Sequence, residues 1–135
     1  MQEFHINYLA LLIATIAKML VGMVWYSSPV FGKLWMTLVG CTPEQMKATM
    51  PKALLVDFIS SYVMAFVLVH AVHYAGAISL PQGAVVGFFN WLGFIAAATL
   101  VSTVYEKRPV KLFLINNGYQ LISLLIMGAI VAVWT

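Results

Sequence analysis

The sequence predicts an all-α membrane protein with four transmembrane helices in an antiparallel bundle. Of its 135 residues, 63% are hydrophobic and only 8% are charged. A soluble domain carries about 25% charged residues, because its surface must face water. Four apolar stretches, each with the roughly 20 residues needed to cross about 30 Å of hydrocarbon, fill almost the whole chain. The lipid bilayer is therefore the first expected partner.

The predicted transmembrane segments form one domain and span residues 6–26, 52–74, 83–105 and 110–134. Aromatic rings near their ends suit the headgroup region of a bilayer. The first segment lacks the basic start and the cleavage site of a signal peptide, so we expect it to be retained. A short turn, "YEKRP", joins the third and fourth segments, which predicts that these two helices are antiparallel neighbours.

The longest connection, residues 27–51, is predicted to be structured. Its stretch "PVFGKLW" surrounds one lysine with bulky apolar residues, which favours the membrane interface. Farther along, Thr42, Pro43 and Gln45 form a capping box with a proline in the first turn, which predicts the start of a helix. Pro51 is expected to separate that helix from the second transmembrane segment.

Positive charge is concentrated in two connections. Six of the seven Lys and Arg residues lie in these connections or within the first two positions of the segment that follows, namely Lys33, Lys47, Lys52, Lys107, Arg108 and Lys111. Short basic loops stay on the cytoplasmic side, so both termini are expected outside, in a multi-pass protein of the inner or plasma membrane. The free thiol of Cys41 then lies inside. No basic face interleaved with exposed aromatics points to nucleic acid as a partner.

Lys18 is the one Lys or Arg far from the ends of a transmembrane segment, roughly 12 Å from the inner end of its helix. A lysine at such a depth costs about 2.5–3.5 kcal/mol on insertion scales. Its side chain either snorkels to the interface or finds a partner, and Asp57 on the second segment is the candidate. Side chains lean toward their own helix N-terminus, so a bridging water or Ser61 would help to close the gap.

Further polar residues share helix faces in the same half of the membrane. Asn116 and Gln120 are four residues apart on the fourth segment and form one stripe. The matching residues on the second segment are Asp57, Ser60 and Ser61. Polar groups in lipid face the bundle interior, which predicts a polar core in the inner half. That core is interpreted either as interhelical contacts or as a substrate site.

Metal, cofactor and catalytic signatures are missing from the sequence. The candidates for a metal site are His5, His70 and His73, with Glu3 close by. No spacing among them matches a zinc motif, and they are also typical of interfacial histidines, so we expect no metal. A nucleophile elbow, a phosphate loop and a paired-carboxylate site are missing as well, so neither an enzyme activity nor a cofactor is expected.

Two turn motifs lie in the stretches "GMVWYSSPVFGKLW" and "STVYEKRPVKLFLINNGYQ". Their distinctive residues are Trp25, Tyr26, Phe31, Gly32, Lys33, Trp35, Tyr105, Glu106, Arg108, Pro109, Asn116, Gly118 and Tyr119. On these residues the chain resembles the small integral-membrane family called domain of unknown function 1761, with Ser28 as an extra residue. The resemblance implies no activity, and it implies no role for Lys18 or Asp57.

Two functions remain open. The first is a small carrier or channel-like protein with a polar cavity in the inner half, and a pore would require a homo-oligomer because four helices leave little room. The alternative is a structural or accessory module that binds other membrane proteins or lipid. A cavity that reaches Lys18 would favour the first function, and a filled core the second. Gly83 and Gly87 allow either close helix packing or dimerisation. The sequence identifies no ligand.

Overall fold

The structure, a computed structural model, describes residues 5–134. The α-helices of this range are α1 Tyr8–Trp25, α2 Lys33–Val39, α3 Pro43–Ala75, α4 Leu80–Asn90, α5 Ala97–Tyr105 and α6 Val110–Trp134. Two π-helical segments, Ser28–Gly32 and Trp91–Ala96, precede α2 and join α4 to α5. Within the described range, four stretches are long and apolar enough to cross a membrane: α1, α3, α4 with α5, and α6. The chain is therefore an all-α membrane protein.

The second transmembrane helix begins at Pro43 and not at the predicted Lys52. The predicted capping box is confirmed, because Thr42 Oγ1 accepts from the Gln45 N–H at 3.2 Å and Gln45 Oε1 accepts from the Thr42 N–H at 3.0 Å. The prediction that Pro51 separates two helices is wrong, since it lies inside α3. A proline inside a helix costs about 3 kcal/mol. The cap and the packing of α3 on α1 and α6 offset that cost.

The third transmembrane helix also begins earlier, at Leu80 and not at the predicted Gly83. Ser79 Oγ accepts from the Gln82 N–H at 3.4 Å, and Gln82 Oε1 accepts from the Ile78 N–H at 2.8 Å. These bonds start the helix within residues 75–82, which are predicted to be a connection. The Ser-x-x-Gln spacing is a helix-start signal that the prediction did not use.

Both termini lie at the same end of the bundle, which follows from four crossings. Asn7 caps α1, and its Nδ2 donates to the carbonyl oxygen of Trp134 at 2.8 Å. We call the opposite end the basic end. It contains residues 26–42, between α1 and α3, and residues 106–109, between α5 and α6.

The helices α4 and α6 pack closely, and two glycines on α4 make this possible. A Cβ on Gly83 would clash with the backbone of Gly128, and a Cβ on Gly87 would clash with the carbonyl of Leu124. Gly83 lies next to Gly128 and Gly87 lies next to Leu124, so α4 and α6 run in opposite directions. The predicted antiparallel arrangement is therefore confirmed. The two glycines therefore serve packing within the chain.

The apolar core lies in the half of the bundle that holds the termini. Leu11, Val69 and Met127 are completely shielded there, each with 0% exposure. Neighbouring core residues from α1, α3 and α6 complete the cluster, including Ala14, Ala65, Leu68, Val72, Leu124 and Val131. Close packing of apolar side chains fills this half, and the charged pair of Lys18 and Asp57 lies in the other half, toward the basic end.

Candidate functional site

The centre of the candidate site is an ion pair between α1 and α3. Lys18 Nζ lies 3.2 Å from Asp57 Oδ1 and also donates to the Tyr119 hydroxyl at 3.0 Å. The centre of the Tyr119 ring lies 4.9 Å from the same ammonium. Ser61 Oγ donates to Asp57 Oδ1 at 3.0 Å. The predicted pairing of Lys18 with Asp57 is confirmed as a direct contact. Snorkelling is excluded, because the Lys18 side chain is only 4% exposed.

A glycine on the surface of α1 leaves the space in which Tyr119 reaches the ion pair. Gly22 follows Lys18 by one helical turn, and a Cβ at this position would lie 2.9 Å from the Tyr119 hydroxyl. That hydroxyl also donates to the carbonyl oxygen of Lys18 at 3.3 Å. Tyr119 therefore bridges the ammonium of Lys18 and the backbone of the same residue. This double contact holds α6 against α1 and fixes the position of the charge.

In the structure, Trp25 and Tyr26 of the first turn motif contact α6, beside residues of the second turn motif. Trp25 Nε1 donates to the carbonyl oxygen of Ile115 at 2.9 Å, and the Trp25 ring lies over Gly118, which has no side chain to obstruct it. The Tyr26 hydroxyl donates to Asn116 Oδ1 at 2.8 Å. Residues about 90 positions apart in the chain therefore form one cluster at the basic end.

Three aromatic rings form a continuous wall next to the ion pair. The Tyr26 ring meets Trp35 edge to face at 5.7 Å between centroids and Tyr119 at 5.3 Å. Gly32 makes this arrangement possible: its N–H donates to the Ser27 carbonyl at 2.9 Å, and a Cβ would clash with the carbonyl oxygen of Tyr26. The chain turns back on itself there, and α2 carries Trp35 to the wall. We call these three rings the aromatic wall.

A cavity of about 700 Å³ opens at the basic end between α1, α2, α3 and α6. Small-molecule sites usually have volumes of about 300–1,000 Å³. Polar groups and the aromatic wall form one side of the cavity: Lys18, Tyr26, Trp35, Asp57, Asn116, Tyr119 and Gln120. Apolar side chains form the rest, above all the methionines Met19, Met23, Met36, Met46 and Met50. The arrangement fits a small molecule that has both a polar and an apolar part.

The two charges of the site differ in their access to the cavity. The Lys18 side chain is 4% exposed, whereas that of Asp57 is 37% exposed. Both hydrogen bonds that Asp57 accepts within the described chain end on Oδ1, which leaves Oδ2 without a hydrogen bond there. Gln120 Oε1 is fully shielded and has no hydrogen-bond partner among residues 5–134. The accessible acceptor at the polar side of the cavity is therefore the Asp57 carboxylate.

The remaining turn residues lie away from the cavity. Tyr105 is 84% exposed, and Arg108 Nε pairs with Glu106 Oε2 at 2.9 Å on the surface. Pro109 precedes the first turn of α6, and Lys33 is exposed at the start of α2. These residues shape the connections at the basic end and do not contribute to the polar side of the site.

The structure corrects the predicted polar stripe on α3 and adds to the site. Ser60 is exposed, whereas Ser61 is fully buried. At about 100° per residue, Ser61 lies about 40° from Asp57 around the helix, and Ser60 about 60° away on the other side. The prediction also missed the methionine lining. Five of the eight Met residues fall within residues 19–50, and this clustering is the signal that would have indicated it.

The three histidines lie toward the end of the bundle that holds the termini. His70 and His73 lie on α3, toward the termini, and His70 Nδ1 is 2.7 Å from the carbonyl oxygen of Phe66. His5 is exposed before α1. Over residues 5–134, no three His, Cys, Asp or Glu side chains come together as a metal site. Glu3, the acidic residue close to them in sequence, lies outside the described residues.

Comparison with known proteins agrees with the resemblance of the turn motifs. The family model described as "Protein of unknown function (DUF1761)" matches residues 9–132. No curated protein and no solved structure matches the chain. The matched region includes both turn motifs and the ion pair between α1 and α3. The chain belongs to the DUF1761 family.

Proposed function

We propose that this protein is a small membrane carrier that binds an amphipathic molecule in the cavity at its basic end. The observation that supports this most is that the cavity of about 700 Å³ reaches the Lys18–Asp57 pair. Desolvating two charges costs several kcal/mol per ion, and apolar residues of similar volume often stabilise a core more. An ion pair that served structure alone would gain nothing from facing a cavity. Its position supports a role in binding.

The closed half of the bundle favours a carrier over a channel. Leu11, Val69 and Met127 are fully shielded beyond the ion pair, so the cavity leads to a packed core. Transport would then need a rearrangement that opens the other side.

The proposed orientation places the cavity on the cytoplasmic side of the inner or plasma membrane. Six of the seven Lys and Arg residues lie in the two connections at this end or in the adjoining starts of α3 and α6, and such basic segments remain in the cytoplasm. The ligand would therefore enter from the cytoplasm or from the inner leaflet. No catalytic step is part of this proposal, and the ligand is transported without chemical change.

A cavity-filling substitution tests the proposal. In Ala53→Phe a large ring replaces a methyl group in the lining of the cavity. In Ala48→Phe the same change is made at an exposed position of α3 outside that lining. Small molecules extracted from the purified proteins would be compared by mass spectrometry. We expect a compound that co-purifies with the unchanged protein and with Ala48→Phe and is depleted from Ala53→Phe. Equal recovery from all three proteins would contradict the proposal.

The alternative is an accessory module that binds other membrane proteins or lipid. It is supported by the stretch Leu80–Tyr105, whose most apolar window is only 6% buried within the chain. This stretch presents a long apolar surface to lipid or to another membrane helix. The same extraction experiment discriminates between the two functions, because an accessory role does not require a molecule in the cavity.

A further inference from the structure

The ion pair presents its negative partner to the cavity. The Lys18 side chain is 4% exposed and that of Asp57 is 37% exposed. Lys18 is also occupied by the hydroxyl and the ring of Tyr119. The pair is neutral as a whole, but its dipole points the carboxylate toward the cavity. A positive charge in the cavity is therefore closer to the attracting carboxylate than to the repelling ammonium.

An unused acceptor atom supports the same sign of charge. Lys18 and Ser61 both donate to Asp57 Oδ1, so Oδ2 of this half-exposed carboxylate can accept from a ligand. An ammonium group carries donors only, and a carboxylate carries acceptors only. The polar side of the cavity therefore complements an ammonium better than a carboxylate.

The aromatic wall provides a second attraction for a cation. The faces of Trp and Tyr rings attract cations within about 6 Å, and the attraction grows when the cation is shielded from water. Tyr119 already holds the Lys18 ammonium in this way, at 4.9 Å from its ring centroid. Tyr26 and Trp35 continue the wall along the cavity. A ligand cation beside Asp57 would face these two rings.

The apolar side of the cavity suits a hydrocarbon body. Methionines such as Met23, Met36 and Met50 dominate this side. Methionine is unbranched and polarizable, so it adapts to ligands of different shape. This lining can accept a chain or a ring of moderate size.

From these contacts we infer that the cavity selects a hydrophobic amine in its protonated form. The ammonium would bind Asp57 Oδ2 beside Tyr26 and Trp35, and the apolar body would lie against the methionines. This inference rests on the proposed function, because it names the ligand class of the same cavity.

Positive residues around the site set a limit on this preference. Lys33 is exposed at the basic end, Lys47 and Lys52 are exposed on the adjoining part of α3, and none of the three belongs to the described lining of the cavity. Exposed charges are screened over about 8 Å at physiological salt. Lys18 is nearer, but it lies behind Asp57 and its charge is compensated by that carboxylate. The carboxylate therefore dominates the field in the cavity.

A series of head groups on one hydrocarbon chain tests the inference. Decylamine, decanol and decanoate differ in charge at neutral pH but have the same apolar body. Their tritiated forms would be measured by scintillation proximity on the immobilised full chain, with the signal of Ala53→Phe subtracted as uptake by detergent. We expect decylamine to bind about tenfold more tightly than decanoate, because the Asp57 carboxylate attracts the ammonium and repels the carboxylate; tenfold corresponds to about 1.4 kcal/mol. In Asp57→Asn that difference should fall below about threefold, since the charge is lost.

The outcomes separate the two claims. Equal or tighter binding of decanol or decanoate to the unchanged protein overturns the preference for a cation and leaves the carrier proposal in place. If Ala53→Phe takes up all three compounds as well as the unchanged protein does, the cavity is not a binding site and both claims fail. Because the comparison of head groups uses the unchanged protein, it does not depend on the folding of Asp57→Asn.

Discussion

Lys18 and Asp57 share a contact of 3.2 Å but not the same environment, since their side chains are 4% and 37% exposed. The ammonium is enclosed between α1, α3 and α6, whereas the carboxylate borders the cavity. A charge that loses its partner in a closed environment costs more than one that can still contact water. The two partners are therefore not equivalent for the stability of the bundle.

The first prediction is that Asp57→Asn destabilises the protein more than Lys18→Met. The first change leaves a buried ammonium with Tyr119 alone, and we expect a loss of about 1–3 kcal/mol, below the cost of breaking a fully enclosed pair. The second leaves a partly exposed carboxylate that still accepts from Ser61, and we expect a loss below about 1 kcal/mol. Thermal unfolding in nanodiscs measures both.

The double variant is the control for this prediction. It contains no orphaned charge, so its loss of stability should be smaller than the sum of the two single losses. Strictly additive losses, or a larger loss in Lys18→Met, would show that the pair does not stabilise the fold as described.

A second prediction concerns the contact of α4 with α6. Gly87→Ala places a methyl group against the carbonyl of Leu124, and we expect a destabilisation of about 1–3 kcal/mol, toward the upper end because backbone cannot move aside as a side chain can. Gly93→Ala is the matched control, since a Cβ there meets nothing within 4 Å. Alanine in a helix is favoured over glycine by up to about 1 kcal/mol, so this variant should be as stable as the unchanged protein or more so. Equal effects of the two would contradict the packing.

A third prediction is that the ion pair at the turn before α6 contributes little. Glu106 and Arg108 are 56% and 59% exposed, and their contact is 2.9 Å long. Such a pair is worth at most about 1 kcal/mol. Glu106→Gln should therefore lower the melting temperature only slightly in a thermal scan. A failure of this variant to fold would show that the turn has a larger structural role.

The sequence indicates Lys18 and Asp57 as candidate partners, with snorkelling as the alternative, because charge is conspicuous in an apolar segment. Lys18 and Asp57 each cost energy in lipid, and pairing reduces both costs. Tyr119 and the methionines gave no such signal, because these side chains are equally compatible with lipid, a core or a cavity. The prediction at Pro51 is wrong because the free-energy cost of a proline inside a helix is smaller than the stability that the cap and the packing give α3. The sequence pattern also does not determine how far a helix is rotated about its own axis. For this reason Ser60 is exposed although it is predicted to face the bundle interior.

A fourth prediction concerns the orientation in the membrane. Cys41 is partly exposed at the basic end, and its thiol forms no disulfide. If the basic end is cytoplasmic, an impermeant maleimide should label Cys41 only after the membrane is opened. Ile78, 80% exposed between α3 and α4, provides the opposite control. The variant Ile78→Cys with Cys41→Ser should be labelled in intact cells. The reverse pattern would invert the orientation.

An experimental structure of the unchanged protein in lipid would test the account most directly. The central claim is that a shielded Lys18 pairs with Asp57 beside an open cavity that holds a small molecule. We predict that the Lys18 ammonium lies within hydrogen-bond distance of Asp57 and Tyr119, with non-protein density between Asp57 and Trp35. An ammonium at the lipid interface, or a cavity filled by the protein's own side chains, would contradict the account.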